Sequence, residues 1–140
     1  MRVLLDTDVV LDLIMARAPF ASSVGELFDL SDLGLFEAHI SALTPLNIFY
    51  IARKAKNATD LREAIKQLVR SVTICPIDYT ILVAAFALPF SDYEDAVQHC
   101  CATASSLDAI VTRNIKDYKN ATLPVFTPTE FLNHVKSHQS

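Results

Sequence analysis

Val3-Leu4-Leu5-Asp6-Thr7-Asp8, near one end, and Ile110-Val111-Thr112-Arg113-Asn114-Ile115-Lys116-Asp117-Tyr118, near the other, decide how this chain reads. Each is a short apolar run that stops abruptly at acidic and amide side chains. A parallel strand buried on both faces reads as such a run, and ligand sites in parallel α/β sheets gather at the carboxyl ends of strands. If the two strands share a sheet, their terminal carboxylates converge. Converging carboxylates repel one another, and a hard divalent cation is the usual remedy. An acidic metal site is the expectation that follows.

Between these two segments, strands alternate with helices. Apolar runs predict strands over 2–5, 36–40, 72–75, 109–112 and 124–126. Helices are expected over 8–17 and 20–33, separated by Pro19, then over 44–56, 59–70 and 78–88. Thr44-Pro45 reads as an N-cap followed by proline at the first helical position. Ser91-Asp92-Tyr93-Glu94 has the capping-box pattern and opens a helix to about residue 105; Thr127-Pro128-Thr129-Glu130 has it again and opens the last helix. This order predicts an α/β fold: a three-layer α/β/α sandwich around a central, mostly parallel sheet of about four to five strands. Residues 1–140 read as one domain, with no repeat, linker or low-complexity stretch.

The composition narrows the function classes. With 51% hydrophobic and 20% charged residues the chain is globular rather than disordered. Its two glycines, Gly25 and Gly34, cannot build a glycine-rich phosphate loop. A net charge of −4 does not suggest a generic nucleic-acid scaffold, although a bound cation would offset local charge toward a polyanion. Cys75, Cys100 and Cys101 have no metal-finger spacing and read as buried, reduced thiols, which points to the cytoplasm. The acid-broken start is neither a signal peptide nor a membrane span.

Asp6 directly follows the first strand and is a candidate metal or catalytic residue; Asp8 better suits the helix cap but is also a candidate. Asp12, one turn on, reads as a solvated helix acid. Asp92 and Asp95, three apart, share a helix face, with Glu94 assigned to the capping box. Thr112, Asn114 and Asp117 follow the fourth strand, while Asp108 precedes it and reads as structural. Arg53, Lys54, Lys56, Arg62, Lys66, Arg70, Arg113, Lys116 and Lys119 are nine of the twelve Lys and Arg residues. They read first as solvated faces, and second as the basic flank that phosphodiester binding beside a metal would need. The four histidines show no ligand spacing, and no nucleophile–histidine elbow appears, so covalent catalysis is not expected.

Taken together, Val3–Asp12, Ser41–Lys54, Asp92–Ala96 and Asp108–Tyr118 resemble the PIN domain, most closely the bacterial branch that includes toxins of toxin–antitoxin pairs. The resemblance implies a metal-dependent ribonuclease acting on RNA with Mg²⁺ or Mn²⁺. By position, Asp6 matches the first acid of the family, Asp95 the third, Asp117 the acid of the final motif and Asn114 its polar residue. Asp8 stands where many members carry asparagine, and Asp92 or Asp8 would assist through water. The departure is Asn47, where many members carry glutamate. An amide there can coordinate a cation but supplies no charge and no general base. A small antitoxin partner and a homodimer are implied, with the 8–33 and 43–70 helices as candidate surfaces.

Two alternatives stay open at this stage. A non-catalytic PIN-like module binding RNA or protein is suggested by Asn47. A haloacid-dehalogenase-like phosphatase is suggested by Asp6-Thr7-Asp8-Val9-Val10-Leu11, with Asp6 as nucleophile.

Overall fold

A computed structural model describes residues 1–138. Five strands, β1 (Arg2–Leu5), β2 (Glu37–Ser41), β3 (Thr73–Cys75), β4 (Ala109–Val111) and β5 (Val125–Phe126), form one sheet in the order β3-β2-β1-β4-β5. Every neighbouring pair is parallel, so the expected sheet is realised in full. The helices are α1 (Thr7–Ile14), α2 (Phe20–Asp32), α3 (Thr44–Ala52), α4 (Ala58–Ser71), α5 (Tyr79–Ala85), α6 (Tyr93–Ala104) and α7 (Pro128–Ser137).

Alternation along the strands divides the core in two. Val3, Leu5, Ala38, Ile40, Ala109 and Val111 pack with α1, α2, α3, α4 and α7 around Val9, Val24, Ile48, Leu61 and Phe131. Leu4, Ile110 and Cys75 face the other way and pack against Cys101 and Ala102 of α6. Since successive side chains of a strand point to opposite faces, both faces of β1 and β4 are buried, as their unbroken apolar runs imply.

Several boundaries differ from the pattern. The first helix stops at Ile14 rather than 17, where Ala16 takes φ 51°, a left-handed conformation outside the helical range. The third ends at Ala52, short of 56, and Asn57 caps the next by accepting from the Asp60 amide at 3.0 Å. In the fifth, the α-helix closes at Ala85, and i→i−3 bonds from Phe86, Ala87 and Leu88 carry the chain toward Pro89. Thr44 is not the cap of α3. Its buried hydroxyl lies 3.0 Å from that of Thr7 and 3.5 Å from that of Ser41, a tertiary contact that outweighs the local one.

Candidate active site

The end of β1 sets the site. The Asp6 amide donates to Val111 O at 2.9 Å, so Asp6 is still in register with β4 when the chain turns into α1. It stands extended at φ −65°, ψ 156° and caps α1, accepting from the Thr7 amide at 2.8 Å. The cap is therefore Asp6, not Asp8, because Thr7 is already helical. Two further donors reach the same carboxylate: Gln98 Nε2 to Oδ1 at 3.1 Å and Thr112 Oγ1 to Oδ2 at 2.9 Å. Asp6 is 7% exposed and held from three elements. A side chain so fixed and engaged does not suit the exposed nucleophile that the phosphatase alternative requires.

Asp8 lies one residue further, in the first turn of α1. Its Oδ2 accepts from the Arg113 amide at 3.3 Å and from Asn114 Nδ2 at 2.9 Å, so the segments after β1 and β4 are stitched together. Its Oδ1 is buried without a partner. Burial and then the charge of Asp6 push the Asp8 carboxyl up to about 7, against the pull of Arg113.

The third wall is α6. Asp92, not Ser91, caps it by accepting from the Asp95 amide at 3.0 Å. The box expected from Ser91 and Glu94 is displaced by one residue, since Asp92 offers a carboxylate at the cap position itself. That engages one Asp92 oxygen in structure and frees Glu94, which accepts from Asn47 Nδ2 at 3.0 Å. Burial raises the Glu94 carboxyl, with the charges of Asp92 and Asp6 adding to it. Asp95 is pushed up to about 7 by burial and then by Asp6, Asp92, Asp117 and Glu94, so all of these carboxylates lie within one field. Its Oδ1 accepts from the Tyr118 hydroxyl at 3.4 Å. Asp117 is exposed on a 3₁₀ turn, Ile115–Tyr118, that Asn114 precedes.

Three contributors escaped the sequence reading. Gln98 is fully buried one turn beyond Asp95, with its Oε1 unpartnered; an amide in an otherwise apolar helix was the available signal. Tyr118 is buried at the foot of the crevice, where burial and the charges of Asp6 and Asp95 hold its hydroxyl protonated. Glu94 had been spent on a cap that does not form.

Asp12 needs the opposite correction. It is 0% exposed, not solvated, and lies 2.7 Å from Arg113 Nε and 3.2 Å from Arg17 Nε. Arg113 also donates Nη2 to Asp12 Oδ1 at 3.3 Å, and its guanidinium sits 4.1 Å above the Phe20 ring. A carboxylate can be buried so deeply only because two guanidiniums meet it. Asp108 is structural as expected, accepting from the Arg2 amide at 2.8 Å at the opposite sheet edge. Arg53, Lys54, Lys56, Arg62, Lys66 and Arg70 are exposed along α4 and the turn before it. All three cysteines are buried and unpaired.

The crevice is thus built from carboxylate and amide oxygens. Among the described residues no three His, Cys, Asp or Glu side chains form a cluster that could hold an ion as they stand. They are bonded to one another instead of to one centre. The donor set nevertheless fits a hard cation. Asp8 Oδ1 lacks a partner, and the charge of Asp6, which adds to burial in raising both Asp8 and Asp95, is what a cation would offset.

A family model described as "PIN domain" matches residues 2–116. No curated relative matches the chain by sequence. Among solved structures, the chain is similar to VapBC2 from Rickettsia felis bound to a fragment of promoter DNA, at TM-score 0.72 and 16% identity, over 91% of this chain and 98% of that one. It is similar to FitAcB from Neisseria gonorrhoeae at TM-score 0.72 and 21% identity, over 91% and 98%. It is also similar to a toxin–antitoxin complex from Klebsiella pneumoniae at TM-score 0.66 and 24% identity, over 90% and 97%. At these identities the likeness is one of fold.

Proposed function

The chain belongs to the PIN domain family, and from that premise we propose that it is a metal-dependent ribonuclease, the toxin of a toxin–antitoxin pair. One observation carries the reading. Asp6 and Asp8 after β1 are joined to Thr112, Arg113 and Asn114 after β4 by direct hydrogen bonds, and Asp95 lies within their field.

Asp6, Asp95 and Asp117 would hold Mg²⁺ or Mn²⁺, with Asp8, Asp92, Asn114 and Asn47 assisting through oxygen atoms or water. Bound there, the ion would polarise the scissile phosphate and lower the pKa of the attacking water. The chain's own contribution is positional. Gln98, Thr112 and the Thr7 amide fix the Asp6 carboxylate, and Tyr118 does the same for Asp95. Asp8 and Asp95, raised to about 7 by burial and by the charge of Asp6, would release protons when a cation is held there. Asn47 brings no charge, but its amide draws in Glu94, whose carboxylate supplies the charge at that wall.

The partner of the pair would be a small antitoxin protein. Leu46 and Tyr50, at 69% and 62% exposure on α3, offer it or a second copy of the chain an apolar surface. No helix among the described residues is long and apolar enough to cross a membrane.

Asp6→Asn in pure protein should abolish metal-dependent cleavage of RNA, and undiminished cleavage would overturn the reading. Mn²⁺ binding by the parent protein without cleavage of any RNA in a broad panel would support the non-catalytic module, which Asn47 favours.

A further inference from the structure

Beside the acidic crevice lies a pocket of about 540 Å³ between the start of α2 and the start of α7, within the size range of small-ligand sites. We propose that it seats one base of the single-stranded RNA whose neighbouring phosphate lies at the acids. This inference rests on the ribonuclease reading and names the part of the substrate that the crevice cannot read.

The pocket and the crevice share a wall. Arg113 and Asn114 line the pocket, and the same two residues bind Asp8 Oδ2 through a backbone amide and a side-chain amide. A nucleotide whose phosphate approaches Asp8 therefore has this pocket as its neighbour.

The lining suits a base rather than a second phosphate. Pro19, Phe20 and Pro128 offer flat apolar surface, and Thr127 and Thr129 offer hydroxyls. Thr127 Oγ1 accepts from the Glu130 amide in its capping box, which leaves its O–H free to donate. Among the described residues Arg113 is the only cation of the lining, and it is already paired with buried Asp12, which it shares with Arg17. Its guanidinium carbon lies over the Phe20 ring, 4.1 Å from the centroid. A guanidinium already engaged by a buried carboxylate is a poorer clamp for phosphate than a free one, whereas an aromatic–guanidinium pair is a platform on which bases bind with little dependence on which base it is. The hydroxyls then supply the preference.

The test uses the full chain, isotope-labelled and observed by NMR, with the four nucleoside 5′-monophosphates and ribose 5-phosphate as probes. At least one nucleotide should shift the amides of Phe20, Ser23 and Thr129, and ribose 5-phosphate should leave them unmoved. Phe20→Leu, a change at a residue 38% exposed, should weaken that binding at least fivefold while the fold is retained. Equal shifts from ribose 5-phosphate, or unchanged binding by Phe20→Leu, would overturn the assignment. A second arm scans a single abasic residue through a cleaved RNA. One position should raise KM about fivefold with kcat nearly unchanged, and Phe20→Leu should remove that sensitivity. A flat scan on RNA that is cut sinks the base pocket and leaves the nuclease. Base-dependent binding by a protein that cuts no RNA sinks the nuclease and leaves the pocket.

Discussion

Gln98 Nε2 donates to Asp6 Oδ1 at 3.1 Å, across 92 residues of sequence, from the middle of α6 to the end of β1. This bond ties the helix that carries Asp95 to the strand end that carries Asp6. Groups that orient a ligating carboxylate typically matter 10–100-fold in metal affinity or activity. Gln98→Leu, similar in volume, should therefore lower Mn²⁺ affinity by about tenfold or more with the fold intact. Titration calorimetry and circular dichroism check both halves.

The raised carboxyls make stability depend on pH. Asp8 and Asp95 titrate near 7 in the folded chain against an ordinary value of 3.8, so between about 4 and 7 the folded state holds protons that the unfolded state has released. Stability should fall as pH rises through that window, and the penalty is complete above it. With solvent screening discounted, it amounts to roughly 1–2 kcal/mol for the pair. Thermal melts of metal-free protein at pH 5 and pH 8 measure the slope, and Asp95→Asn should flatten it. Buried His99, whose pKa is lowered by burial, acts in the opposite direction and cancels in that comparison.

The same protonation predicts proton release. Mn²⁺ binding at pH 6 should liberate protons from Asp8 and Asp95, and the release should fade by pH 8. Calorimetry in buffers of different ionisation enthalpy reads the number directly. An enthalpy independent of buffer at pH 6 would contradict the assignment.

Glu94→Gln separates charge from hydrogen bonding at the wall of Asn47. The substitution keeps an acceptor for Asn47 Nδ2 but removes a negative charge. Divalent-ion affinity should fall several-fold and thermal stability should rise slightly, since Glu94 is held above its ordinary value by burial and by Asp92 and Asp6.

Asp12→Ala leaves Arg113 and Arg17 without their shared carboxylate. Loss of one partner of a buried pair costs about 3 kcal/mol, and denaturant melts should show it. Replacing both Asp12 and Arg113 with leucine should recover much of that loss, because the charge then left without a partner is that of Arg17, whose side chain is 39% exposed.

Legibility in the sequence followed distance along the chain. The strand ends at Asp6 and Thr112, the box at Thr127–Glu130 and the position of Asp108 ahead of its strand all rest on neighbours a few residues away, where period and propensity are decisive. Asp12 was misread because its partner Arg113 lies 101 residues away, and a helix pattern alone cannot distinguish a solvated acid from a paired one. Glu94 was misread for a subtler reason. Ser91 and Asp92 are both good caps, the carboxylate prevailed, and a shift of one residue sent Glu94 to Asn47. Gln98 shows its role only once α6 is laid across β1.

Because β1 sits at the centre of the sheet and pairs with β4, the Thr112 hydroxyl meets Asp6 across 106 residues of chain. During synthesis Asp6 leaves the ribosome long before Thr112, by roughly 5–20 seconds at ordinary elongation rates. Throughout that interval the nascent chain carries Asp6 without the hydroxyl that holds its Oδ2. A chain interrupted before β4 lacks Thr112, Arg113 and Asn114, and with them every bond that joins Asp6 and Asp8 to the segment after that strand.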